Sequence, residues 1–235
     1  VTEIFAVDAL DFRLKPGEWD FARARAPEIA AHWARRKAEQ PRLFNGRVLM
    51  LGRHELRGGV LSGDFFETDF MNFLAWREFG FPASNALNGF AMAALRGSDG
   101  AFLLGEMSAH TASAGRVYFA AGTPDPQDAF GDVVDLYASV TRELTEETGL
   151  RADEVEIARG WIVARDASHV ACMKPMRLKE TAAQAKARID AWLAADPHPE
   201  FVRMHVIAAP KQITDATPAF VRDFLIDMFE RGGGL

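Results

Sequence analysis

Apolar positions along this chain alternate between the two-residue period of a strand and the three-to-four-residue period of a helix. Residues 4–7 and 12–14 predict two short strands before Pro16-Gly17 breaks the chain. From 18 to 40 the pattern predicts a helix with Ile29, Ala30, Trp33 and Ala34 on one side and Arg35, Arg36 and Lys37 outward. Pro27 suits its first turn and Pro41 ends it. His32 and Trp33 read as packing or rim residues at that spacing. Asn45-Gly46 opens a hairpin whose arms, 47–56 and 60–66, are joined by Gly58-Gly59. Thr68 or Asp69 then caps a helix to Phe79, whose Phe70, Phe73, Leu74 and Trp76 need cover from another element or another subunit.

Around 82–85 the chain passes into a second unit. Two apolar runs, 87–95 and 101–104, flank the turn Gly97-Ser98-Asp99-Gly100, and a third strand is expected at 117–121, ahead of Gly122 and a loop with Pro124 and Pro126. The next helix is predicted to take Asp132 as its N-cap, with Asp135 at the third position and Leu136, Tyr137, Val140 and Leu144 as its apolar stripe. Strands at 155–164 and 169–173, a helix at 181–193, a loop at Asp196-Pro197-His198-Pro199, a strand at 202–208 and a helix opened by Thr217-Pro218 complete the pattern. Strands alternating with helices indicate an α/β fold, a mixed sheet covered on both sides. The organisation expected is an N-terminal α+β extension over 1–84, serving as a dimerisation element or a lid, followed by the main domain over 85–235.

With 235 residues and 49% hydrophobic content the chain can bury a real core. Its net charge of −6 argues against general nucleic-acid binding, while small anionic substrates stay open where arginines converge. Lone Cys172 reads as a small buried hydrophobe in a reducing compartment. No apolar run is long enough to cross a membrane, and the N-terminal residues lack a basic-then-apolar signal, so a cytoplasmic protein is expected. The glycines at 232–234 predict a frayed end.

The chemistry is concentrated in Arg142-Glu143-Leu144-Thr145-Glu146-Glu147-Thr148-Gly149-Leu150. On a helix Glu143, Glu146 and Glu147 share a face, near the C-terminal end where the helix dipole disfavours anions. A hard divalent cation, Mg2+ or Mn2+, is the natural compensation. Gly149 supplies the left-handed stop. This run resembles the C-terminal half of the Nudix box, the signature of Mg2+-dependent hydrolases of nucleoside diphosphates linked to another moiety. The resemblance covers the last two-thirds of the chain and implies an α/β/α sandwich. It also implies that Glu143, Glu146 and Glu147 bind metal or act through it, that Arg142 orients the carboxylates, and that Gly122 allows close approach. The implied chemistry is attack of an activated water on phosphorus, with Glu146 among the acting acids and Glu200 matching an additional acid used as a base.

The first half of the box departs from this pattern. The family's glycine and glutamate positions fall on Asp128 and Val134, and Gly122 lies 20 residues before Arg142, so the loop is longer. Asp125, Asp128 and Asp132 are the carboxylates available there; Asp128, placed mid-loop, is the expected extra metal ligand. Arg116 is positioned to reach a phosphate. His110, His169, His198 and His205 lack metal-ligand spacing and read as structural or surface residues, and Ser113, Ser139 and Ser168 lack a nucleophile elbow. The expected partner is a small nucleotide derivative, by fold analogy a nucleotide-sugar or coenzyme-like molecule, with a homodimer as a possibility and no nucleic acid or membrane. The alternative is a non-catalytic Nudix-like nucleotide-binding module.

Overall fold

The computed structural model describes residues 1–232. Strands β1 (Glu3–Val7) and β2 (Ala9–Leu14) precede helices α1 (Asp20–Ala24) and α2 (Ala26–Glu39), the hairpin β3 (Arg47–Arg57) and β4 (Val60–Asp69), and α3 (Phe70–Glu78). Next come β5 (Asn88–Arg96), β6 (Phe102–Met107), β7 (Val117–Tyr118), β8 (Ala129–Phe130), β9 (Val133–Val134) and α4 (Leu136–Thr148). The rest is β10 (Val155–Ile157), β11 (Trp161–Arg165), β12 (His169–Leu178), α5 (Ala182–Leu193), β13 (Phe201–Ile207) and α6 (Ala219–Glu230). An eight-stranded mixed sheet runs β1-β11-β12-β5-β6-β13, with β10 on β12 and β7 on β6; a five-stranded one runs β3-β4-β2-β9-β8. No helix of the described residues is long and apolar enough to cross a membrane.

Central strand β5 is buried on both faces, which is why it reads as a nearly continuous apolar run. Its Ala91, Ala93 and Leu95 join the core with α4, α5 and the smaller sheet, whereas Phe90, Met92 and Ala94 meet Phe220, Val221 and Phe224 of α6. Cys172 lies fully buried in the first of these cores, and burial pushes its thiol well above the usual range, the inert hydrophobe expected.

The first 84 residues are woven into the rest. Strand β1 pairs with β11 in the larger sheet, β2 pairs with β9, and the Leu49 N–H donates to the Pro124 carbonyl. The aromatic face of α3 is covered within the chain, Phe73 and Trp76 packing with Trp19, Phe21 and Ile29 from the segment containing α1 and α2. That face therefore supplies no reason for a second subunit. The buried side of α2 carries Ile29 and His32, while Ala30 and Ala34 are exposed. His32 is accommodated because the Glu78 carboxylate lies 2.7 Å from its Nε2.

Other departures have local causes. The strand expected over 155–164 is two, because Pro175 on β12 has no N–H to offer and the ladder lapses opposite it. Lys174 Nζ donates to the Arg159 and Gly160 carbonyls at this break. The strand at 117–121 ends at Tyr118, after which the Ala120 carbonyl accepts from the Ala93 N–H on β5. Helix α4 starts three residues later than expected, since Asp135, not Asp132, caps it by accepting from the Tyr137 and Ala138 N–H groups. Asp132 is exposed and stands 3.5 Å from Arg13. Tyr137 is 45% exposed and leaves the buried stripe to Leu136, Val140 and Leu144. The frayed end expected at 232–234 lies, for Gly233 and Gly234, outside the described residues.

Candidate functional site

Helix α4 ends as expected, with Gly149 at φ 70° and its N–H donating to the Thr145 carbonyl. The three acids on its last turns occupy different surroundings. Glu146 is exposed, Glu143 half-buried and Glu147 buried, because the Leu144 stripe turns the adjoining face toward the sheet. Glu147 Oε2 accepts from the Ala121 N–H at 2.8 Å, while its Oε1 is buried without a partner. Burial, followed by the negative charges of Glu200 and Glu143, pushes the Glu147 carboxyl well above the ordinary range. Burial also pushes Glu143 up to about 7; Arg142 opposes this, and Glu146, Glu200 and Asp128 add to it. Glu200, in the turn before β13, is exposed and close enough to act on both.

Arg142 ties the cluster to the long loop. It donates to both Asp128 oxygens at 3.0 and 3.2 Å and to Glu146 at 3.1 Å, and stands 2.8 Å from Glu143 Oε1. Burial alone would lower its pKa, but Asp128, Glu143 and Glu146 together hold it above its ordinary value. Asp128, expected from its mid-loop place to be the extra metal ligand, is 2% exposed. Asp125 and Asp128 form a reciprocal capping box over a 3-10 turn at Pro126–Asp128, which folds the long loop inward. Both Asp128 oxygens are engaged, by Arg142, by the Ser139 hydroxyl at 3.1 Å and by the Asp125 N–H at 3.1 Å.

Gly122 lies directly against Glu143: a Cβ built there would stand 2.2 Å from Glu143 Oε1. What Gly122 admits is thus a carboxylate from α4. Because that carboxylate ends a flexible side chain, Gly122→Ala is expected to leave stability within about 0.5 kcal/mol of the parent. It should also move Glu143 and lower the affinity for a divalent cation at least tenfold. Urea unfolding and Mn2+ titration together check this; an unchanged Mn2+ affinity would show that Glu143 does not need the space.

The acids present oxygen donors only, the set a hard divalent cation prefers. Among the described residues no three Asp, Glu, His or Cys side chains are gathered closely enough to hold an ion, with Glu143 drawn to Arg142 and Glu147 to Ala121. The unpartnered Glu147 Oε1 is the atom that a cation would satisfy. The donor chemistry fits.

Ala121 and Gly122 also line a cleft of about 540 Å3 that opens between α3, the larger sheet and the start of α6. Arg116 lines it as well, exposed and without a carboxylate in ion-pair range among the described residues. Several cleft residues carry no sequence motif: Arg77 and Phe81 from the α3 segment, Asn88, Tyr118, His169 and Phe220. Phe73, Arg77, Glu78 and Phe81 thus form one wall. Burial pushes the Tyr118 hydroxyl up to about 12, with Glu147 and Glu200 adding to the shift. His169, read as structural or surface from its spacing, lines the cleft, its Nδ1 held 3.0 Å from Asp166.

No family model matches this sequence, and no curated protein matches it. Similar solved structures include the Nudix hydrolase RenU from M. smegmatis, at 12% identity over 63% of this chain and 87% of that one, with a TM-score of 0.40. MutT protein from Methanosarcina mazei Go1 is similar at 20% identity over 63% of this chain and 98% of that one, with a TM-score of 0.41. A mutant of the Bacillus subtilis pyrophosphohydrolase BsRppH is similar at 14% identity over 62% and 81%, with a TM-score of 0.36.

Proposed function

We propose that this chain is a Nudix-type hydrolase, a Mg2+- or Mn2+-dependent pyrophosphohydrolase of a nucleoside diphosphate linked to another moiety. The observation that carries this reading is the buried Glu147, with one oxygen unpartnered, in the field of Glu143 and Glu200 and bonded to Ala121, which lines a cleft that also holds arginine. A buried, unpaired carboxylate among like charges costs several kcal/mol and has no packing rationale. Glu143 and Glu147 would hold the cation, with Glu146 and Glu200 available to it from the exposed side. A bound divalent cation neutralises a diphosphate and lowers the pKa of a water molecule for attack on phosphorus.

The chain's own residues supply the rest. Arg142, anchored on Asp128, positions Glu143 and Glu146. Glu200, exposed and without a side-chain hydrogen bond among the described residues, is the carboxylate able to receive a proton from the attacking water. Arg116 supplies positive charge to the cleft. A non-catalytic binding module would account for the absence of a glutamate in the loop; Asp128 supplies Arg142 with a loop carboxylate, and the unpartnered Glu147 oxygen favours the hydrolase reading.

A panel of nucleoside diphosphate sugars, dinucleotides and nucleoside triphosphates, incubated with Mg2+ and with EDTA and read by phosphorus NMR, tests the proposal. Cation-dependent cleavage of an anhydride in at least one class is expected. Absence of cleavage across the panel with both Mg2+ and Mn2+ would overturn it.

A further inference from the structure

The cleft beyond Ala121 and Gly122 contains a half-buried cation, Arg77, that no carboxylate among the described residues neutralises. The Arg77 guanidinium donates to the Ala112 carbonyl at 2.7 Å and the Ser113 hydroxyl at 3.3 Å, both neutral, and no carboxylate lies within ion-pair range among the described residues. Adjacent Glu78 is occupied by His32 and Arg36. Burial accordingly pulls the Arg77 pKa below its ordinary value. An unpaired, desolvated guanidinium is unfavourable to the folded chain, and its planar fork matches a phosphate better than any neutral acceptor. Arg116, also without a carboxylate in ion-pair range among the described residues, adds a second cation to the same cleft.

Next to these cations is an aromatic wall. The His169 and Phe220 rings stack at 5.0 Å and 25°, and Phe81 meets His169 edge-on at 4.9 Å. Asp166 fixes the His169 ring through Nδ1. Phe81 has φ 56°, and no other non-glycine residue among those described has a positive φ. Such backbone strain persists where its surroundings enforce it, commonly at ligand sites; here Trp76 packs edge-on with the Phe81 ring at 4.9 Å. Asn88, buried and lining the same cleft, has an amide oxygen without a partner. Three separate deficits, a cation lacking an anion, an acceptor lacking a donor and a strained aromatic, converge on one space.

We propose that this cleft seats the nucleoside monophosphate half of the substrate, with its phosphate on Arg77 and Arg116, its base on the His169–Phe220 wall and an N–H of the base edge donated to Asn88. The assignment deepens the hydrolase reading and rests on it for the identity of the whole substrate. It places the other half of the substrate outside the aromatic cleft, beyond the acids. Base stacking on aromatic surfaces tolerates every base, so the wall supplies affinity and Asn88 orientation.

Binding measured without a cation separates this assignment from turnover. Isothermal titration of the full chain in EDTA with AMP, GMP, CMP and UMP is expected to give saturable binding of at least one. Arg77→Met should weaken the nucleotide at least tenfold while changing affinity for the matching nucleoside less than twofold. Asn88→Ala should weaken nucleotide and nucleoside equally, by roughly three- to tenfold, the loss of one hydrogen bond. Circular dichroism and melting verify each variant; if Arg77→Met does not fold, exposed Arg116→Ala carries the same expectation for nucleotide over nucleoside. No binding of any monophosphate, or equal affinity in a folded Arg77→Met, overturns the assignment. Inorganic phosphate competing as well as the nucleotide would reduce the site to a bare anion site and overturn the base contact. Nucleotide binding in EDTA with no anhydride cleavage under any cation would instead remove the hydrolase reading and leave this site standing.

Discussion

Glu147→Gln is expected to lower kcat for the cleaved anhydride on the order of 10^3-fold, the several kcal/mol of charge stabilisation that a bound cation supplies to phosphoryl transfer. The same variant should melt at a higher temperature than the parent in EDTA. The two effects have one cause. Glu147 Oε1 is buried without a donor, next to Glu143 and within the field of Glu200, so ionising it is unfavourable until a cation takes up the charge. A neutral amide of the same shape relieves that cost and keeps an oxygen for the Ala121 N–H. Mg2+ should raise the melting point of the parent by binding only the folded state, and raise that of Glu147→Gln much less. Differential scanning calorimetry with and without Mg2+, alongside initial rates, makes the comparison. Equal Mg2+ responses in the two proteins would mean that the cation binds elsewhere and that Glu147 is merely a buried acid.

Local features of this fold were legible because their causes are local. The hairpin turn at Gly58-Gly59, the left-handed Gly149 and the start of α5 after Thr181 each depend on a few adjacent residues. The three acids of α4 were legible by helical spacing, but spacing alone does not reveal that Glu147 is buried and Glu146 exposed. That difference depends on how Leu144 orients the helix against the sheet. The sequence singled out only Arg116 and Gly122 as site residues of the cleft. Its wall is assembled from residues 77, 81, 88, 169 and 220, whose adjacency follows from the parallel pairing of β5 with β12 and the position of α6 over them. Arg77 looks in sequence like a cation in the last turn of a helix, well placed for the dipole. Only the packing of α3 against the rest turns it into a half-buried charge that has neutral partners and no anionic one among the described residues.

Asp128→Asn is expected to destabilise the fold by about 2–3 kcal/mol, measured by urea unfolding, where an exposed loop carboxylate would cost almost nothing. The carboxylate is 2% exposed and accepts from Arg142, the Ser139 hydroxyl and the Asp125 N–H. An amide replaces one acceptor oxygen with a donor facing donors, and it removes the charge opposing a guanidinium in a largely buried position. Arg142 is itself about one-third exposed and keeps Glu143 and Glu146, which holds the loss below that of a fully buried pair. Asp132→Asn is the control. Asp132 is 71% exposed, 3.5 Å from Arg13, and caps nothing, so its loss should stay within about 0.5 kcal/mol. The chemistry should follow the packing. With Asp128 neutral, Arg142 is held by the two helix acids alone and is drawn further onto Glu143, the side chain that Gly122 makes room for. Cation affinity should therefore fall in Asp128→Asn and stay unchanged in Asp132→Asn. If Asp128→Asn unfolds at the parental urea concentration, the buried contact with Arg142 contributes nothing, and the loop is not what holds the acids in register.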